Sequence, residues 1–150
     1  MEMEKSLTKR RRYTFLEHMS DAYIEAYGRD LNEAFDNAAR ALTDTMIHIK
    51  KVGKKIRESF DVEGWDLPNL LYNWLEAVLI KIITEGKVFS SFDVKVEKVD
   101  QGYRLAAIGR GEFLDVKKHR LKVEVKAVTY HLMDIRLKNG RVTIRFLLDL

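Results

Sequence analysis

Cysteine is absent from this chain of 150 residues. That excludes disulfides, thiolate catalysis and cysteine-ligated zinc, and it suits a reducing cytoplasm, the expected location. Long hydrophobic runs are also missing, since a membrane span needs roughly 18 apolar residues. The most apolar stretch, Leu67 to Ile83, is broken by Asn69, Asn73, Glu76 and Lys81. After Met1 the chain is charged rather than greasy, so no secretory leader is expected. Proline occurs once, and there is no internal repeat, low-complexity linker or break in composition. No glycine-rich phosphate loop, nucleophile elbow or triad order is present. Gly109-Arg110-Gly111 is too short for a nucleotide loop and reads as a tight turn. The four histidines, His18, His48, His119 and His131, show no zinc-type spacing.

An apolar share of 46% and a charged share of 33% describe a soluble globular protein. The length fits one domain with a real core. The net charge is +4, and Lys5, Lys9, Arg10, Arg11 and Arg12 supply much of the basic character. Residues 1–12 therefore read as a basic, flexible tail and 13–150 as a single domain. The tail has two readings: a solvated terminus, or an arm making transient contact with RNA phosphates.

Tyr13 to Leu16 and Asp21 to Tyr27 read as strands, the second closed by Gly28. Asp30 is placed as an N-cap, with Glu33 three residues on to complete a capping box. Leu31, Ala34, Phe35, Ala38, Leu42 and Met46 follow at helical spacing, leaving Glu33, Asp36, Asn37 and Arg40 outside. Ile56 to Gly64 reads as a strand. A second helix starts at Asp66, tolerates Pro68 in its first turn, and carries a broad stripe from Leu67 through Trp74 to Ile82. Everything after Gly86 reads as strands, including an alternation at Leu121, Val123 and Val125. Asn139-Gly140 marks a hairpin. The expected class is α+β: a mostly antiparallel sheet with two amphipathic helices packed on one face.

Two polar segments stand out. One is Glu17-His18-Met19-Ser20-Asp21; the other runs from Glu124 to His131 and is joined by the chain end, Leu148-Asp149-Leu150. Period-two geometry puts Val142, Ile144, Phe146, Leu148 and Leu150 on one face and Asp149 on the other. Asp149 is either simply solvated or, with the Leu150 carbonyl and a second carboxylate, part of an oxygen-ligand site for calcium or magnesium. Asp21 is the candidate second carboxylate, with Glu17 and His18 close by. Lys126 alternates outward. It is either a solvated lysine or a cation beside Asp21 and Asp149 that holds carboxylates or touches phosphate. His131 ends the second segment as a further supporting candidate.

These pieces resemble the archease family from Tyr13 onward. Phe15 to Asp21 resembles its opening motif, and Ile24-Glu25-Ala26-Tyr27-Gly28 with Leu31 to Ala39 its first strand and helix. Leu70 to Leu75 is similar to its second helix, and Gly111-Glu112-Phe113 with Asp115 and His119 to the following loop. Glu124 to His131 is the most specific match, and Asp149-Leu150 fits the acidic chain end. Met19-Ser20 replaces the usual Thr-Ala, and Leu150 the usual Ile. The resemblance implies an accessory protein, not itself a catalyst. Its partner would be the tRNA-splicing RNA ligase, which joins cyclic-phosphate or 3′-phosphate ends to 5′-hydroxyl ends. It implies promotion of guanylylation of the ligase's active-site histidine and of multiple turnover. It also implies a divalent-metal site, calcium foremost, at Asp21, Asp149 and the Leu150 carbonyl, with Lys126 as the functional cation. A different class, a stand-alone metal-dependent enzyme acting on RNA or a nucleotide, would use Asp21, Asp149, Lys126 and His18. A third, a general RNA-binding or chaperone module, would use the basic tail.

Overall fold

A computed structural model describes residues 11–16 and 20–150. These form β1 (Tyr13–Leu16), β2 (Asp21–Gly28), α1 (Leu31–Met46), β3 (Ile56–Gly64), α2 (Leu67–Glu85), β4 (Lys87–Val99), β5 (Gly102–Phe113), a four-residue helix α3 (Val116–His119), β6 (Ala127–Lys138) and β7 (Arg141–Asp149). The expected α+β class with antiparallel strands holds. The strands divide between two sheets, ordered β1-β2-β7-β6 and β3-β5-β4. The helices are shared rather than laid on one face: α1 packs on β2, β7 and β4, and α2 on β3, β4, β5 and β6.

Both long helices start as their caps dictate. Asp30 accepts a hydrogen bond from the Glu33 backbone N–H at 2.9 Å, while Glu33 Oε1 accepts from the backbone N–H of Arg29, one residue earlier than a strict capping box. Asp66 accepts from the Asn69 N–H at 2.8 Å, and Gly86, at φ 64°, closes α2 in the left-handed conformation.

Asn37 does not lie outside. It is 5% exposed, and its amide donates to the Tyr27 carbonyl at 2.7 Å. A helix gripped by two sheets has little outer face. Asp36 and Asn32 turn the other way, to β4, where they accept from the backbone N–H groups of Phe92 and Val96 at 3.0 and 2.8 Å. β4 is the edge of its sheet, so α1 side chains occupy donors that would otherwise be open to another strand.

The core is one aromatic-rich cluster. Phe60, Trp74, Phe89 and Phe92 meet edge-on or tilted at centroid distances of 5.2–5.9 Å. The Trp74 indole N–H donates to the Phe35 carbonyl at 2.9 Å, tying α2 to α1.

Two further expectations fail. Gly109-Arg110-Gly111 is not a turn but part of β5. A Cβ on Gly109 would sit 2.9 Å from the Phe89 ring, and one on Gly111 only 1.8 Å from the Val88 carbonyl oxygen. The glycines are there for close packing, beside an irregularity of β4 between Phe89 and Ser91. The second failure is Leu121-Val123-Val125. α3 precedes it, capped by Asp115, and the chain then runs past the C-terminal end of α1 rather than along a strand. Its backbone contacts are single ones: an Ile47–Leu121 bridge and Lys122 N–H to the Met46 carbonyl. Only Val125 of the three is buried, at 1% exposure.

Candidate functional site

β2 begins where β7 ends, and their antiparallel register sets Asp21 directly opposite Asp149. On β7's other side Ala127 faces Asp149, and the Lys126 N–H donates to the Asp149 carbonyl at 2.7 Å. Three sequence candidates more than a hundred residues apart at the extremes thus converge at one end of one sheet. Leu150 follows immediately and is half-buried against the core.

The outward rungs of β2 and β7 show what is unusual here. Moving along the sheet they are Asp21·Asp149, Tyr23·Leu147, Glu25·Arg145 and Tyr27·Thr143. Glu25 and Arg145 form an ion pair at 2.6 Å, as cross-strand charges normally do. The Asp21·Asp149 rung instead opposes two carboxylates. Like charges set directly opposite one another on paired strands are unfavourable. A cation beside the rung reverses that sign.

The donor chemistry fits a hard divalent ion. Carboxylate oxygens and a chain-end carbonyl suit calcium or magnesium, whose remaining positions are filled by water or a partner's oxygens. No cluster of three or more His, Asp or Glu with metal-holding geometry occurs among the described residues. Lys126 is exposed and makes no ion pair among the described residues. Glu17 and His18 lie outside the described residues. His131 is displaced along β6 from Ala127. There, between Thr129 (opposite Leu147) and Asp134 (opposite Arg145), the strand loops out and Leu132 adopts φ 60°.

A second polar centre escaped the reading of individual residues. Glu112, 6% exposed at the end of β5, accepts from the Gly53 N–H at 2.8 Å, from Lys118 Nζ at 2.7 Å and from His119 Nε2 at 2.7 Å. The fully buried His119 has its tautomer fixed by geometry. The Asp115 N–H donates to Nδ1 at 3.0 Å, so Nε2 carries the proton toward Glu112. The Gly53 N–H foremost, then Lys118 and His119, holds the Glu112 carboxyl down at about 2. This centre fastens the segment that runs on to Lys126. The available signal was a glutamate near a strand end, an N-capping Asp three residues on and a histidine four beyond that.

Taken together, fold and site define an α+β protein of two antiparallel sheets with an oxygen-rich, cation-compatible rung at a sheet end. Residues 13–150 match the model of the Archease protein family (MTH1598/TM1083). The chain is 48% identical to Protein archease of Pyrococcus abyssi over 132 residues, which cover 87% of this chain and 93% of that one. It is 43% identical to Protein archease of Thermococcus gammatolerans, covering 93% and 99%. The solution structure of Methanobacterium thermoautotrophicum protein 1598 superposes with a TM-score of 0.82 at 36% identity, covering 93% and 99%. A Thermotoga maritima archease, called a possible chaperone, shares the fold at a TM-score of 0.61 and 15% identity, covering 91% and 96%. The chain belongs to the archease family.

Proposed function

We propose that this chain is an accessory protein that activates the tRNA-splicing RNA ligase, promoting guanylylation of its active-site histidine and sustaining multiple turnover. Family membership supports the accessory role, and the Asp21·Asp149 rung with Lys126 beside it is the observation that carries the chemistry. Asp21, Asp149 and the Leu150 carbonyl would hold a divalent cation, calcium foremost. When bound, that ion supplies Lewis-acid charge at a surface open to a partner's phosphates. Asp21 and Asp149 hold their oxygens on adjacent strands, so the pair is positioned by the sheet rather than by a loop. Lys126 presents an ammonium to a phosphate or to an acidic side chain of the ligase. Its backbone N–H donates to the Asp149 backbone carbonyl, which keeps the two residues adjacent.

The test is ligase guanylylation under multiple-turnover conditions, with and without this protein in a cognate pairing. Strong stimulation at substoichiometric amounts is expected. Asp21→Ala, Asp149→Ala and Lys126→Ala should each remove most of it while leaving the circular dichroism spectrum unchanged. Full stimulation by folded Asp21→Ala and Asp149→Ala proteins would refute the site. RNA or nucleotide turnover without any ligase would support a stand-alone enzyme instead.

A further inference from the structure

We propose that Trp65 and the groove beside it form a docking site for an arginine-bearing segment of a partner protein. Trp65 is 74% exposed, the most exposed large apolar side chain among the described residues. Exposure of this kind is ordinary on a loose loop, but Trp65 is held. A Cβ on Gly102 would meet the Gly64 carbonyl oxygen at 2.3 Å and the Trp65 Cα at 2.9 Å, so two backbones touch at this corner. A Cβ on Gly64 would strike the Leu70 backbone N at 2.4 Å, which presses the same corner onto the start of α2. The Trp65 N–H donates to Asn69 Oδ1 at 3.2 Å, and the other end of that buried amide donates to the Tyr130 hydroxyl at 2.8 Å. Tyr130 in turn stacks on Tyr72 at 4.4 Å. The indole is displayed from a fixed backbone, so only its side-chain torsions remain to be ordered on binding.

The groove beside it holds about 650 Å³ and is lined by Glu63, Trp65, Asn73, Asp100, Gln101 and Tyr103. Its charged lining groups are the carboxylates of Glu63 and Asp100, both exposed. Arg104, directly opposite Glu63 across β3 and β5, feels the Glu63 charge but gives its guanidinium to Asp61 at 2.6 Å, and Lys98 lies over the Tyr103 ring at 4.7 Å. The groove thus already stacks one cation on its second ring and leaves the better π-face, indole, uncovered. Aromatic face plus carboxylates is complementary to a guanidinium, which stacks flat and bonds carboxylates along its edge. Two carboxylates disfavour a nucleic-acid backbone. The groove is open, so a free small cation would stay largely wet; an arginine carried on a protein brings its own surface to cover the rest. The proposal does not depend on the ligase reading.

The experiment uses the full chain and its own fluorescence. Trp74 is fully buried, so emission changes on ligand addition come from Trp65. The probe is a short capped peptide with two arginines between glycines, compared with the same peptide carrying neutral citrulline. Saturable perturbation of Trp65 emission by the arginine peptide is expected. Binding at least tenfold weaker should follow for the citrulline peptide, and for a Glu63→Gln/Asp100→Asn protein. Both substitutions are at exposed positions and leave the fold intact. Equal binding of the two peptides, or an unchanged affinity of the double variant, would overturn the proposal. So would the absence of saturable binding, quenching by GMP alone, which assigns a base-stacking platform, or concentration-dependent quenching without peptide, which assigns a second copy.

Discussion

Glu112→Gln removes one charge while keeping shape, and it probes the one buried carboxylate among the described residues. In the wild type the carboxylate receives three donors at 2.7–2.8 Å. All three donors reach one oxygen, Oε2, so a glutamine can keep its carbonyl there, but it loses the charge that strengthens these bonds and sets its NH₂ at the Oε1 position, which lies 3.7 Å from the Lys55 ammonium in the wild type. Hydrogen bonds to charged groups are worth about 1.5–3 kcal/mol net, so near-neutral pH the variant should lose about 2–3 kcal/mol. The pH dependence gives an independent estimate. Glu112 ionises at about 2 in the folded chain against 4.5 for an ordinary glutamate. A depressed folded value stabilises the protein fully above the unfolded value, and that stabilisation is lost as pH falls toward the folded value. The contribution integrates to about 2–3 kcal/mol after allowance for the solvent the group still sees. Urea titrations of wild type and variant, followed by circular dichroism in steps from near-neutral to strongly acid pH, should therefore show a gap that closes between pH 4.5 and 2. A gap below about 0.5 kcal/mol near neutrality, or one that stays constant on acidification, would show that the carboxylate's charge is not what fastens this segment.

Two glycines should separate conformational from steric cost. Gly140→Ala, at φ 70° in the hairpin with nothing within 4 Å of its Cβ, should cost about 1 kcal/mol. Gly111→Ala should cost about 3 kcal/mol or more, because the new carbon meets backbone; comparable urea midpoints for the two would contradict this packing. Trp74→Phe should lose about 1–3 kcal/mol through the lost indole hydrogen bond to the Phe35 carbonyl and the vacated indole volume, and an unchanged thermal midpoint would refute that role.

Most of the elements were legible because their signals are local. Asp30, Asp66, Gly86 and Asn139-Gly140 mark helix ends and the hairpin by caps and backbone preference, and each stands where its chemistry places it. What failed depends on neighbours far along the chain. Leu121, Val123 and Val125 alternate like a strand, but a strand also needs an edge to pair with, and here the end of α1 occupies that place. Gly109 and Gly111 resemble a turn until the aromatic rings packed over the first and the β4 backbone pressed on the second are known. The candidate site was half legible: alternation put Asp149 outward and at a strand end. That it faces Asp21 is a matter of register between the second strand and the last, which no local pattern encodes. Glu112 and His119 were visible only as part of a family pattern, since their contact joins a strand end to a four-residue helix.

The seam between α1 and β4 has a consequence for hydrogen exchange. At the open edge of a three-stranded sheet, outward amides normally exchange freely with solvent. The Phe92 and Val96 amides are instead bonded to Asp36 and Asn32, on a helix that also packs against the other sheet. Their protons can leave only when α1 lifts away from β4. Exchange at these two positions therefore reports the opening of the α1–β4 seam, and its slowness measures how firmly α1, alongside α2, couples the two sheets.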